Sequence, residues 1–208
     1  MTTVIAIDGP AGSGKSTVAR AVARKLGLAH LDTGAMYRSI ALAALRRDVD
    51  TADAEAVAAI AKTTEVTVGP DGVFVDGENA TDAIRTEEVT KAVTAVAANP
   101  AVREVMVQRQ RAWIADNDGG VLEGRDIGTV VCPDATVKVY LVADPEVRAQ
   151  RRAAEHNEAV ANDMRRRDAA DAQRDVSPMM RADDAVEIDT THLSVDDVVA
   201  VVLGLVPA

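Results

Sequence analysis

Eight consecutive residues carry the most specific chemistry in the chain: Gly9-Pro10-Ala11-Gly12-Ser13-Gly14-Lys15-Ser16, followed by Thr17. They match GxxxxGK[ST], a loop whose glycines let successive backbone N–H groups turn inward around an anion. A lysine at the seventh place can reach the β- and γ-phosphates of a nucleotide, and a serine hydroxyl at the eighth can ligate Mg²⁺. Three more stretches concentrate charge beside predicted strand ends, where α/β proteins bind ligands. These are Leu31-Asp-Thr-Gly-Ala-Met-Tyr-Arg38, Glu123-Gly-Arg-Asp-Ile-Gly128 and Arg167-Asp-Ala-Ala-Asp-Ala-Gln-Arg174. In the last, Arg167, Asp171 and Arg174 are spaced i, i+4, i+7 and share a face if the segment is helical, offering arginine and carboxylate partners to a second phosphate and a sugar.

The elements that must position these residues can be read from periodicity. Val4–Asp8 is an apolar, β-branched run that predicts a buried strand, and Thr17–Leu26 has helical spacing, so the loop sits between strand and helix as its chemistry requires. A short strand over Ala29–Leu31 leads to a helix over Ala35–Leu45, and Asp53 caps a further helix to Lys62. Glu65–Val68 and Val73–Val75 alternate with period two around Gly69-Pro-Asp-Gly72, which predicts a hairpin and makes about 64–85 a small insertion. Asn99-Pro100 divides two helices over Thr86–Ala98 and Ala101–Ala115. Strands are predicted over Gly120–Glu123, Val137–Val142 and Ala185–Ile188, a charged helical stretch with room for an interruption from Pro145 to about Arg174, and a last helix over Ser194–Leu203. Strands alternating with helices predict one domain over 1–208, an α/β fold built on a parallel sheet with helices on both faces.

Composition bounds the partners. With 23 Lys and Arg against 33 Asp and Glu the net charge is −10, which disfavours a general affinity for nucleic acid or anionic membrane. Phosphate affinity must then be local, and eight arginines do fall between Arg148 and Arg181. Aromatic residues make up 2% of the chain, so the core has to be Val, Ala, Leu and Ile, which suits buried parallel strands. The lone Cys132 forms no internal disulfide and reads as a small buried hydrophobe; with a first strand starting almost at Met1, it points to the reducing cytoplasm. No long apolar surface stripe stands out, and a monomer is expected.

A phosphate loop alone fits a switch protein, a motor, a transporter subunit or a small kinase. No Asn-Lys-x-Asp segment is present to read guanine, and a switch needs no second phosphate site. Asp144, after the Val137–Val142 strand, can be read as a magnesium-site acid; with Pro145 behind it, the cap of the next helix is the preferred reading.

Taken together, GPAGSGKS, LDTGAMYR, VLEGRDIGTVV and RRRDxxDxxR resemble the bacterial cytidylate kinases over nearly the full length, hairpin insertion included. The resemblance implies a phosphate-loop kinase core with an inserted acceptor-binding subdomain and an arginine-rich lid over about 148–167. It implies transfer of a phosphoryl group from ATP to CMP or dCMP with Mg²⁺. Gly9, Pro10, Ala11, Gly12, Ser13, Gly14, Lys15, Ser16 and Thr17 would hold the ATP phosphates, with Ser16 on the metal and Arg151 at the start of the lid. Arg38, Arg125 and Arg174 would hold the acceptor's α-phosphate, and Arg167 and Asp171 that phosphate and the ribose. Arg103 and Asp126 would read the cytosine edge, with Thr33 and Thr94 nearby. Lys15, Arg125 and Arg174 would neutralise charge on the transferring group. The lid stretch between Arg152 and Arg167 is several residues shorter than the family usually has.

Overall fold

A computed structural model describes residues 2–156, 168–174 and 176–207. The predicted lid therefore lies largely outside the described residues, and Arg167 lies wholly outside them. The chain divides into two compact units, one formed by the residues up to His30 together with those from Ile114, the other by Leu31–Trp113.

The first unit carries the sheet. Its strands are β1 (Thr3–Asp8), β6 (Gly119–Gly124), β7 (Val137–Val142) and β8 (Val186–Asp189), and β2 (His30–Asp32) joins at the boundary. The order is β2-β6-β1-β7-β8, and β1–β6, β1–β7 and β7–β8 all pair in parallel. Ile5, Ile7, Val139 and Leu141 point to one face, where they pack with Val18 and Val22 of α1 (Lys15–Leu26) and Val198 and Val202 of a C-terminal helix (Val195–Gly204). Ala6 and Leu122 on the opposite face are equally inaccessible, so the strands are covered on both sides, as continuous apolar runs demand. Between β6 and β7 the chain makes a π-helical turn over Ile127–Val131, closed by the Cys132 amide donating to the Ile127 carbonyl at 2.7 Å. Cys132 itself is half-buried rather than fully enclosed, a correction to its reading as a core residue: it terminates that turn instead of packing inside the sheet.

The second unit contains α2 (Thr33–Arg46), α3 (Ala54–Thr63), the strands β3 (Val66–Gly69) and β4 (Gly72–Val75), a 3₁₀ turn (Ala83–Arg85), α4 (Glu87–Ala98) and most of α5 (Pro100–Asp116). The hairpin lies where alternation placed it, with a third strand β5 (Glu78–Asn79) too short to leave a period. Asp53 caps α3 by accepting from the Ala56 amide, and Asp32 caps α2 by accepting from Ala35.

Of the charged helical stretch expected from Pro145 to about Arg174, with an interruption allowed, the described residues show the two ends. α6 spans Pro145–His156, residues 168–172 are helical, and Arg174 lies beyond that segment's end. The i, i+4, i+7 face therefore does not run to Arg174. The C-terminal helix, α7 hereafter, opens on a capping box: the Ser194 hydroxyl accepts from the Asp197 amide while Asp197 accepts from the Ser194 amide.

Candidate active site

Local sequence builds the phosphate loop. Gly9, Gly12 and Gly14 have φ of 145°, 74° and 91°, and a Cβ on Gly12 would sit 2.7 Å from the Arg148 carbonyl oxygen. Both the conformation and the close approach demand glycine there. α1 begins at Lys15, two residues earlier than its periodicity indicated, so the loop ends directly on a helix N-terminus. The Lys15 ammonium folds back over the loop and donates to the Pro10 carbonyl at 2.7 Å. Burial, together with the neighbouring Arg125 charge, pulls the Lys15 pKa down to about 7.

The Ser16 hydroxyl donates to Oε2 of Glu123 at 2.6 Å, and His30 Nε2 lies 3.1 Å from the other oxygen of that carboxylate. Burial works to raise the Glu123 pKa, but the hydrogen bonds from His30 and Ser16 outweigh it and hold the group below its ordinary range. Glu123 lies one residue before the end of β6, the strand next to β1, where an acid can serve a metal held by the loop serine. Sequence reasoning weighed Asp144 for that task; the structure shows Asp144 accepting from the Glu146 and Val147 amides, which is the helix cap. A hydroxyl and a carboxylate meeting at the phosphate loop are the hard oxygen donors that suit Mg²⁺.

Two further acids act on the loop from outside its motif. Asp8, at the end of β1, accepts from the Ile127 and Gly128 amides at 2.9 and 2.8 Å and so ties the π-helical turn to the strand that feeds the loop. Burial pushes its pKa up to about 6 against those hydrogen bonds. Asp168 accepts from the Ala11 amide at 3.0 Å and from both Arg148 and Arg125. It thereby fixes the second turn of the loop, and its place inside an Arg-Asp run gave no sign of a partner so distant in sequence.

Of the predicted acceptor residues, one group gathers in the first unit. Arg125 donates to Asp171 at 2.9 Å and to the Gly9 carbonyl at 2.9 Å, and Arg174 donates to the other oxygen of Asp171. Burial opposes the Arg125 charge, but Asp171 and Asp168 outweigh it and raise its pKa further. Asp171 thus orients two arginines, one of which reaches the first glycine of the loop. Asp126 is buried, and its carbonyl accepts from Val130 and Val131 inside the turn.

The other group belongs to the second unit. Thr33 is buried in the first turn of α2, and Thr94 is half-buried on α4. Arg38 donates to the Ile84 carbonyl at 3.0 Å and to the Thr90 hydroxyl at 2.9 Å. Arg103 is buried, its guanidinium carbon 5.5 Å from the centre of the Tyr37 ring, and it donates to the Ala97 carbonyl at 3.3 Å.

Beside the loop lies a groove of about 340 Å³, lined among others by Gly12, Thr17, Arg151, Thr190, Leu193 and Val195. Arg151 is anchored there by two hydrogen bonds to Thr190, at 3.0 Å to the hydroxyl and 2.7 Å to the carbonyl. The floor of this groove was not legible in sequence, because Thr190 and Leu193 follow the last strand and match no motif.

A loop of this form between β1 and α1 of a parallel sheet, with an acid on the adjacent strand gripping its serine, defines a phosphate-loop nucleotide-binding protein. Among solved structures the chain is similar to an uncharacterized protein from Eubacterium ventriosum ATCC 27560, at TM-score 0.56 and 13% identity over 98% of this chain and 97% of that one. It is also similar to a gluconokinase from Sinorhizobium meliloti 1021, at TM-score 0.53 and 13% identity over 98% and 91%. At that identity the likeness is one of fold. The sequence comparisons go further. Residues 5–208 match the family model described as cytidylate kinase. A cytidylate kinase from Geobacillus sp. (strain WCH70) is 48% identical over 97% of this chain and 95% of its own length. One from Mycobacterium leprae (strain Br4923) is 47% identical over 98% and 95%. The chain belongs to the cytidylate kinase family.

Proposed function

We propose that this protein transfers the γ-phosphoryl group of ATP to CMP or dCMP, forming ADP and CDP or dCDP. The observation that supports the reading, beside family membership, is an arginine pair beside the phosphate loop: Arg125 on the Gly9 carbonyl, coupled through Asp171 to Arg174. A protein that only bound and hydrolysed a nucleotide would have no use for it.

In this reading the loop amides and Lys15 hold the β- and γ-phosphates, and the groove beside Arg151 takes the adenine. Ser16 and Glu123 would hold Mg²⁺, which when bound neutralises phosphate charge. Arg38, Arg125 and Arg174 hold the acceptor's phosphate, with Arg167 as a further partner, and Asp171 shares its oxygens with the ribose. An oxygen of the acceptor phosphate attacks the γ-phosphorus in line, and the bond from that phosphorus to the β–γ bridging oxygen breaks, releasing ADP. The attacking oxygen is already anionic at neutral pH, so no general base is required, and the side chains contribute position and positive charge. Cytosine offers an amino donor beside a ring acceptor, which a carboxylate and an arginine complement: Asp126 and Arg103, with Thr33 and Thr94 near the base. Uracil would turn a carbonyl oxygen toward the Asp126 carboxylate. The lone Cys132 fits work in the reducing cytoplasm, and among the described residues no helix is long and apolar enough to cross a membrane.

The test is initial rates of ADP formation with CMP, dCMP, UMP, AMP and GMP at fixed Mg-ATP. Highest rates with CMP and dCMP are expected. Formation of ADP that ignores the acceptor, or is fastest with a purine, would defeat the reading.

A further inference from the structure

The Arg38 side chain is oriented from within its own unit. Its Nη1 donates to two oxygens of the second unit. These are the Ile84 carbonyl at 3.0 Å and the Thr90 hydroxyl at 2.9 Å. Two acceptors on one guanidinium nitrogen constrain where the planar group lies.

Both acceptors are fixed in place. Ile84 is fully buried in the 3₁₀ turn Ala83–Arg85. Thr90 is 9% exposed and lies in the first turn of α4, where its amide donates to the Thr86 carbonyl at 2.9 Å while the Thr86 hydroxyl caps the helix. A β-branched side chain in a helix has few rotamers, so the Thr90 hydroxyl is aimed by its backbone. Thr94, one turn further on, lies on the same face of α4.

We infer that Thr90 is a positioning residue for the acceptor: its hydroxyl, with the Ile84 carbonyl, sets the Arg38 guanidinium in the orientation that receives the monophosphate. This rests on the reading of Arg38 as a phosphate ligand. The arginine's rotamer freedom is given up on folding rather than on binding, which tightens acceptor binding without touching the donor nucleotide. No motif marks Thr90; it sits in an ordinary helical stretch, Thr86-Glu-Glu-Val-Thr90.

Three variants and one combination test it, by steady-state kinetics on the full chain with CMP and ATP varied separately. Arg38→Ala should raise KM for CMP at least about tenfold and leave KM for ATP within about twofold, the scale of a lost hydrogen bond to a charged group. Thr90→Val keeps shape and removes the hydroxyl; KM for CMP should rise about three- to tenfold, again without change for ATP. Thr90→Ser restores the hydroxyl and should return KM to within about twofold of the parent. Adding Thr90→Val to Arg38→Ala should change nothing further, since the hydroxyl has lost the group it positions. An unchanged CMP KM in Arg38→Ala overturns the reading of Arg38 itself. If Arg38→Ala raises it but Thr90→Val does not, the inference about Thr90 alone falls. It falls equally if Thr90→Val shifts both KM values together, if Thr90→Ser fails to restore, or if Thr90→Val keeps its full effect without Arg38.

Discussion

Free Lys15, with its pKa drawn down to about 7 by burial and by Arg125, makes a quantitative demand on ATP binding. One pH unit above that value about nine-tenths of the lysine is neutral, and one unit below it about one-tenth. A bound triphosphate places several negative charges against the ammonium and moves its pKa back toward the ordinary 10.5. Binding must then take up about 0.9 proton at pH 8 and about 0.1 at pH 6. The sign follows: the bound state holds the extra proton, so ATP affinity falls as pH rises above 7, by up to about tenfold per unit. Titration calorimetry of Mg-ATP binding in buffers of different ionisation enthalpy counts these protons. Lys15→Arg is the control, because a guanidinium stays charged throughout and nucleotide protons cancel in the comparison. At pH 8 the parent should take up most of a proton more than the variant. A difference below about 0.2 would mean that Lys15 is charged in the free protein, and the argument from its burial would be wrong.

Asp168→Asn removes the anion shared by Arg125, Arg148 and the Ala11 amide; breaking such a buried pair costs about 3–5 kcal/mol, and urea unfolding that moves by less than about 1 kcal/mol would refute that role. Glu123→Gln keeps the contact to Ser16 but loses the charge, so the Mg²⁺ concentration for half-maximal rate should rise about tenfold or more, with the fold unchanged by circular dichroism. Asp126→Asn gives the base site a donor that suits uracil; the ratio of kcat/KM for UMP over CMP should rise by the equivalent of about 1–3 kcal/mol, and an unmoved ratio would remove Asp126 from base reading.

What could be read from sequence was what is local. GPAGSGKS predicts its own conformation, because the positive φ at Gly12 and Gly14 and the helix that follows are demands on adjacent residues. The Asp53 cap, the hairpin around residues 69–72 and the proline that opens α5 are short-range in the same way. Motif resemblance supplied Arg38, Arg125 and Asp171 as candidate site residues, yet not what each rests on. Tertiary structure decided the partners: Asp168 reaches the loop amide of Ala11 from 157 positions away, and Asp8 meets Gly128 across 120. The choice between Asp144 and Glu123 shows why. Each is an acid at or just past the end of a buried strand neighbouring β1, and the linear pattern favours neither. Pro145 and the free amides of α6 draw Asp144 into a cap, while β6 runs beside β1 in register, Ile7 against Glu123, and delivers that carboxylate to Ser16. Strand order is set by burying whole faces of the sheet, a property of the assembled core and of no single stretch of chain.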